Sequence, residues 1–143
     1  MDLRQSWLLF ALGSAFFAAL TALFGKLGVA GINSNLATFI RTVVILIVTA
    51  GILSLRSEWA RPSGLPWHSW LFLVLSGIAT GLSWLCYYRA LQLGPVSRVA
   101  PIDKLSVAIA IVLGLVFLGE RPSLPLLVGG LLIVAGAVVI AWF

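Results

Sequence analysis

The chain has 143 residues, 62% of them hydrophobic and only 9% charged, whereas a soluble domain carries roughly 45–50% apolar and about 25% charged residues. No water-soluble fold hides that much apolar surface, and the length leaves no room for a separate soluble catalytic or binding domain. Nine Lys and Arg against four Asp and Glu give a formal charge of +5, but the basic residues are dispersed singly along apolar segments, unlike the clustered patch of a nucleic-acid surface.

A helix needs about 20 residues to cross roughly 30 Å of hydrocarbon, and five apolar runs of that length predict five transmembrane helices. The first spans about 7–27. Arg4 ahead of it gives it the outline of a signal peptide, but its length matches the four runs that follow, which argues against cleavage. Ala15, Ala18, Ala19 and Ala22 recur along it at helical spacing, and Lys26 closes it. After a turn from Gly28 to Ser34, the second helix spans about 35–55 and carries Arg41 two turns from its start. The stretch from Arg56 to Pro66, with Glu58, Arg61 and Pro62, is the one hydrophilic interruption and is expected to be an exposed interfacial loop.

The third helix is expected over about 67–91. Ser76, Thr80, Ser83 and Tyr87 follow at spacings of four, three and four, on one helical face with Trp84 alongside. That stripe can line a pathway, its hydroxyls donating hydrogen bonds and its aromatics offering cation–π surface. Equally, the hydroxyls can bond to their own helix or to neighbouring helices. Gly77 and Gly81 in this helix suit close helix approach. His68 belongs to the interface, and Cys86, the sole cysteine, has no disulfide partner in the chain.

Gly94 and Pro95 mark the next turn, and the fourth helix is expected over about 96–118 as one continuous element. Pro101 removes a backbone donor and can bend it just before Asp103, although a proline in the first turns is also an ordinary helix start. Asp103 and Lys104 are adjacent and project about 100° apart on a regular helix, so they are not expected to neutralise each other. Asp103 is expected to pair with Arg41 or Lys26 instead. Gly119 is suited to end this helix in a left-handed conformation and Ser123 to cap the next, leaving Glu120 and Arg121 on a tight hairpin. The fifth helix spans about 124–143 and is dotted with Gly129, Gly130 and Gly136. Trp7, Trp59, Trp67, Trp70 and Trp142 sit near helix ends, where amphipathic rings favour the headgroup region.

With the N-terminus inside, Arg4, Arg56, Arg61 and Arg121 face the cytoplasm while Lys26, Arg89 and Arg98 face outward, so the positive-inside rule is nearly silent. Five is an odd number, and two identical copies related by an in-plane pseudo-two-fold axis must insert oppositely. Balanced charge is what such a pair needs. Ionisable groups inside apolar spans are by default functional candidates, and Lys26, Arg41, Asp103 and Lys104 fall in the same half of the membrane under this topology. A structural ion pair is the plainer alternative. Enzyme chemistry is not expected: no second intramembrane acid accompanies Asp103 and no embedded histidine accompanies the serines. No metal-ligand spacing or phosphate-cradling glycine loop is present.

The segments Tyr88-Arg89-Ala90-Leu91-Gln92-Leu93-Gly94, Ala100-Pro101-Ile102-Asp103-Lys104-Leu105-Ser106 and Phe117-Leu118-Gly119-Glu120-Arg121, with Asn35-Leu36-Ala37-Thr38 leading into Arg41, resemble the EamA domain of the drug/metabolite transporter superfamily, specifically its short single-domain bacterial members. The resemblance implies a five-helix half of an inverted-repeat transporter, whose full-length relatives hold two halves and move metabolites. Small multidrug-resistance relatives use a glutamate in the first helix, and this chain has no acid there.

The expected protein is therefore an all-α membrane protein, a compact bundle of five transmembrane helices forming a single EamA-like domain over 1–143. Its expected function is alternating-access transport of a small, anionic or zwitterionic metabolite across a bacterial inner membrane. It would act as an antiparallel homodimer or as a hetero-pair with another short family member. Lys26, Arg41, Ser83, Trp84, Tyr87, Asp103 and Lys104 are the expected substrate-binding or coupling residues, and Pro101, Gly119 and Glu120 the hinge or hairpin positions. No cofactor is expected, and a coupling ion, H+ or Na+, is left open. The rival from another class is a non-transporting integral-membrane partner or accessory subunit.

Overall fold

The computed structural model describes residues 3–59 and 64–142, with side chains from Trp7 onward. Arg61, Pro62, Phe143 and the Arg4 side chain lie outside it. Helix α1 runs Leu3–Gly28, α2 Ser34–Leu55, α3 Trp67–Leu93, α4 Val96–Asp103, α5 Leu105–Phe117 and α6 Leu124–Trp142. Because α4 and α5 together make up one span, Val96–Phe117, the described residues contain five helices long and apolar enough to cross a membrane. The chain is an all-α membrane protein.

The fourth span corrects the expectation of one continuous helix. It is interrupted at Lys104, just after Asp103 rather than before it. The Lys104 N–H turns to the Pro101 carbonyl three residues back, at 3.1 Å, and the Val107 N–H turns to the Lys104 carbonyl at 3.0 Å. Pro101 has no N–H to give and its ring crowds the turn before it, so its direct effect lies ahead of Asp103 and not at Lys104. The helix tightens over the next residues instead of continuing its regular ladder.

The chain divides into two compact units, one comprising Phe24–Gln92 and the other joining the first part of α1 to the chain from Leu93 onward. Within Phe24–Gln92, the core sits where the end of α3 meets the α1–α2 turn. Val29 is 1% exposed, Leu91 0% and Tyr88 6%. The Gln92 amide donates to the carbonyls of Ile32 at 2.6 Å and Val29 at 3.3 Å, and its own oxygen accepts from Arg89 at 3.0 Å. Lys26 Nζ donates to the Leu91 carbonyl. Gly25 permits this closeness, since a Cβ there would sit 3.3 Å from the Tyr88 hydroxyl and 3.4 Å from Leu91 Cδ1. In the turn, Gly31 takes a positive φ of 79°, and the Asn33 side chain accepts from the backbone N–H groups of Asn35 and Leu36, at 2.8 and 3.3 Å. Asn33 thus caps α2.

At the other end of α2, the N–H of Ser57 bonds to Ser54 and that of Glu58 to Leu53, at 3.2 and 3.0 Å. This is a Schellman closure. It forces Ser57 to a φ of 53°, a conformation that suits glycine and strains a residue bearing Cβ. The Trp59 indole N–H donates back to Ser54 Oγ at 3.0 Å, and Arg56 pairs with Glu58 at 3.6 Å in an exposed bridge of little energetic weight.

In the other unit, α4 and α5 both pack on α6. Gly119 has a φ of 66°, the Glu120 N–H reaches the Gly114 carbonyl at 3.2 Å, and the Leu126 N–H bonds to Ser123 Oγ at 3.3 Å. The Glu120 carboxylate folds back onto buried Gly114, with Oε2 2.8 Å from where a Cβ would stand. Gly130 likewise admits Ile111. By contrast, nothing lies within 4 Å of a Cβ position at Gly77, Gly81, Gly129 or Gly136, so of the glycines picked out in the third and fifth spans Gly130 alone makes a close contact, and Gly25 and Gly114 make the others.

Two outcomes follow for purified protein unfolded thermally in detergent. Ser57→Gly relieves the left-handed strain and raises stability by about 1 kcal/mol. Gly25→Val overpacks the contact with Tyr88 and Leu91 and costs about 1–3 kcal/mol, while Gly51→Val, where no atom lies within 4 Å of the Cβ position, leaves the midpoint close to the parental value.

Candidate functional site

Arg41 stands seven residues along α2, about 10 Å from its start. Its position follows from local chain chemistry. Asn33 fixes where α2 begins, and Thr38 and Thr42 hold their hydroxyls against the Ser34 and Thr38 carbonyls at 2.9 and 2.8 Å. The threonines therefore leave no free donor for lipid, and the neighbourhood of Arg41 is set by α3.

Arg41 Cζ lies 3.2 Å from the centroid of the Trp84 ring and 6.0 Å from that of Tyr88. The aromatic residues also support one another. Trp84 meets Tyr87 edge to face at 5.4 Å and Tyr88 at a tilt at 5.8 Å. A cation over an indole face is worth about 0.5–1 kcal/mol when exposed and about 2 or more when desolvated. Arg41 is half-buried, and within its own unit its charge is met by an aromatic face.

Of the residues picked out in the sequence, the structure brings Arg41, Trp84 and Tyr87 together. Tyr88 completes this cluster, and in the sequence it stands out only as part of the family-like segment. Its spacing of four from Trp84 was the available signal. Ser83 is exposed, and Thr80 spends its hydroxyl on the Ser76 carbonyl at 2.8 Å, so the plainer reading holds for that hydroxyl. Lys26 serves the Leu91 carbonyl. Gln92, which ties the α1–α2 turn to α3, was also missed as an individual residue.

The Asp103–Lys104 expectation is corrected. Lys104 Nζ approaches Asp103 Oδ2 to 3.3 Å, so the neighbours do pair. A 100° separation describes a regular helix, whereas here the helix breaks at Lys104 and the long lysine side chain swings back. The pair is about half exposed, at 54% for Lys104 and 36% for Asp103, and its energetic weight is correspondingly small. Among the described residues no group of His, Cys, Asp and Glu could hold a metal ion.

Five apolar spans with ionisable residues set inside them, one span broken beside its aspartate, define a polytopic membrane protein. The EamA-like transporter family matches residues 5–142. The chain belongs to that family. It is 55% identical over 141 residues to an uncharacterized transporter in the cobO 3'region of Sinorhizobium sp., covering 99% of this chain and all of that one. It is 30% identical over 136 residues to the uncharacterized transporter YxxF of Bacillus subtilis (strain 168), covering 94% of this chain but 42% of that protein. No solved structure matches the chain.

A double-mutant cycle measures the Arg41 contact. Trp84→Leu is expected to destabilise the parent by about 1–2 kcal/mol more than it destabilises Arg41→Gln. Equal losses in the two backgrounds, read from unfolding midpoints, would show that the ring does nothing for the cation.

Proposed function

We propose that this chain is one half of an alternating-access transporter for small metabolites in a bacterial inner membrane, assembled as an antiparallel homodimer. The observation that carries this reading is the pair of length relationships. The chain matches one named transporter end to end, yet spans only 42% of another. A protein able to use this module both alone and as part of a chain more than twice as long fits inverted-repeat architecture, in which two five-helix halves insert oppositely. The balanced flanking charge of Arg4, Arg56, Arg61 and Arg121 against Lys26, Arg89 and Arg98 supports dual insertion.

Two groups of residues are assigned to substrate handling. One is Arg41 with Trp84 and Tyr87, with Ser83 beside them in sequence. The other is the Asp103–Lys104 pair at the interruption between α4 and α5. Broken helices concentrate polar groups and unpaired backbone at membrane depth, where transporters place their sites. Pro101 precedes that interruption by one turn, and Gly119 and Glu120 shape the following hairpin. Asp103 is the only acid within the five spans and is the residue a coupling H+ or Na+ would engage. Lys26 holds the end of α3 in place.

The test is a cysteine-accessibility map in native membranes. Cys86 is replaced by serine, and single cysteines are introduced by Ile32→Cys and Glu58→Cys, at opposite ends of α2. An antiparallel homodimer gives labelling of each position from both sides of the membrane in comparable amounts. Labelling of each position from one side alone rules that homodimer out, and obligate co-purification of a different membrane protein would favour the accessory-subunit reading.

A further inference from the structure

Arg41 is a guanidinium whose flat face is occupied and whose edge is open. With Cζ 3.2 Å from the ring centroid, the group cannot stand on edge against Trp84. A nitrogen about 1.3 Å from Cζ would then lie well inside the normal contact distance of about 3.5 Å. The guanidinium therefore lies nearly parallel to the indole, and its N–H bonds radiate sideways, away from the ring. None of them meets an acceptor among the described residues, and none of the nitrogens is sealed off without a partner. These are reachable, unsatisfied, charged donors about 10 Å along a membrane-spanning helix.

The neighbouring cations of the same unit are engaged differently. Lys26 donates to the Leu91 carbonyl and Arg89 to Gln92. We propose that the open edge of Arg41 is a carboxylate seat: an organic acid presents two coplanar oxygens matched to two parallel N–H donors of the fork, and Trp84 holds that fork at a fixed tilt. One guanidinium balances one carboxylate. A phosphate carrying nearly two charges would leave about one of them uncompensated in the apolar layer, a heavy penalty. This assignment deepens the transport reading and rests on it for the claim that the bound acid is cargo.

The experiment follows the unfolding midpoint of the purified full chain titrated with acetate, lactate and benzoate, with the corresponding amides and with inorganic phosphate. Saturable stabilisation by a carboxylate, absent with its amide, is expected, and it should weaken by at least about tenfold in Arg41→Lys and Arg41→Gln, because lysine keeps the charge but loses the fork. Arg98→Gln, in the other unit, should bind within about twofold of the parent. The seat is overturned if no carboxylate stabilises the protein, if an amide or phosphate does so equally well, or if Arg41→Lys keeps the parental affinity. The acid–amide comparison uses the parental chain, so it survives a variant that fails to fold. Carboxylate binding without counterflow in proteoliposomes would overturn the transport reading and leave the seat standing; counterflow indifferent to Arg41→Lys would overturn the seat alone.

Discussion

Hydrocarbon neither donates nor accepts a hydrogen bond, and a polar group placed in it must be answered from within the protein or not at all. The small hydroxyls answer most simply. Thr21, Thr38, Thr42, Thr49, Ser54 and Thr80 each bond to a carbonyl one turn back on their own helix. Longer side chains reach further. Gln92 serves the Val29 and Ile32 carbonyls of the α1–α2 turn, and Lys26 serves the carbonyl of Leu91. The fully buried pair Val29 and Leu91 lies at this junction, so the hydrogen bonds and the tightest packing coincide. Arg41 departs from the pattern, because an aromatic face stabilises its charge without consuming its donors.

The same constraint explains how legible the fold was. Crossing a bilayer demands a long apolar run, and such runs are visible in sequence with no knowledge of contacts. Turn chemistry was readable where residue type decides it: the left-handed φ falls at Gly119 and the capping hydroxyl belongs to Ser123. Ser57 shows the limit. Its left-handed turn is imposed by hydrogen bonds closing α2, and no glycine announces it.

The candidate site was less legible, since what decides it is register between helices. Arg41 and Trp84 were both conspicuous, but 43 positions separate them and nothing local says which face of α2 meets which turn of α3. Opposite charge points to Asp103 as the partner, and the cation–π surface that Trp84 offers does not say which cation takes it. The pairing of Asp103 with Lys104 is invisible to regular-helix geometry, because the helix tightens to i→i−3 bonds at Lys104. Tyr88 and Gln92 were seen as members of a family-like segment, and their individual duties, filling the space over Gly25 and fastening a turn, emerge only in three dimensions.

The Arg41–Trp84 stack also bears on how the protein is made. Helices leave the ribosome in order, so α2 reaches the membrane ahead of Trp84, carrying an arginine that costs about 2.5–3.5 kcal/mol near the centre of a span. Its otherwise strongly apolar sequence must carry that burden, and α3, the least apolar of the five spans, arrives with the ring that relieves it. The two helices are thus mutually dependent at insertion, one lending hydrophobicity and the other a place to rest a charge, which makes the α2–α3 hairpin the natural unit of biogenesis.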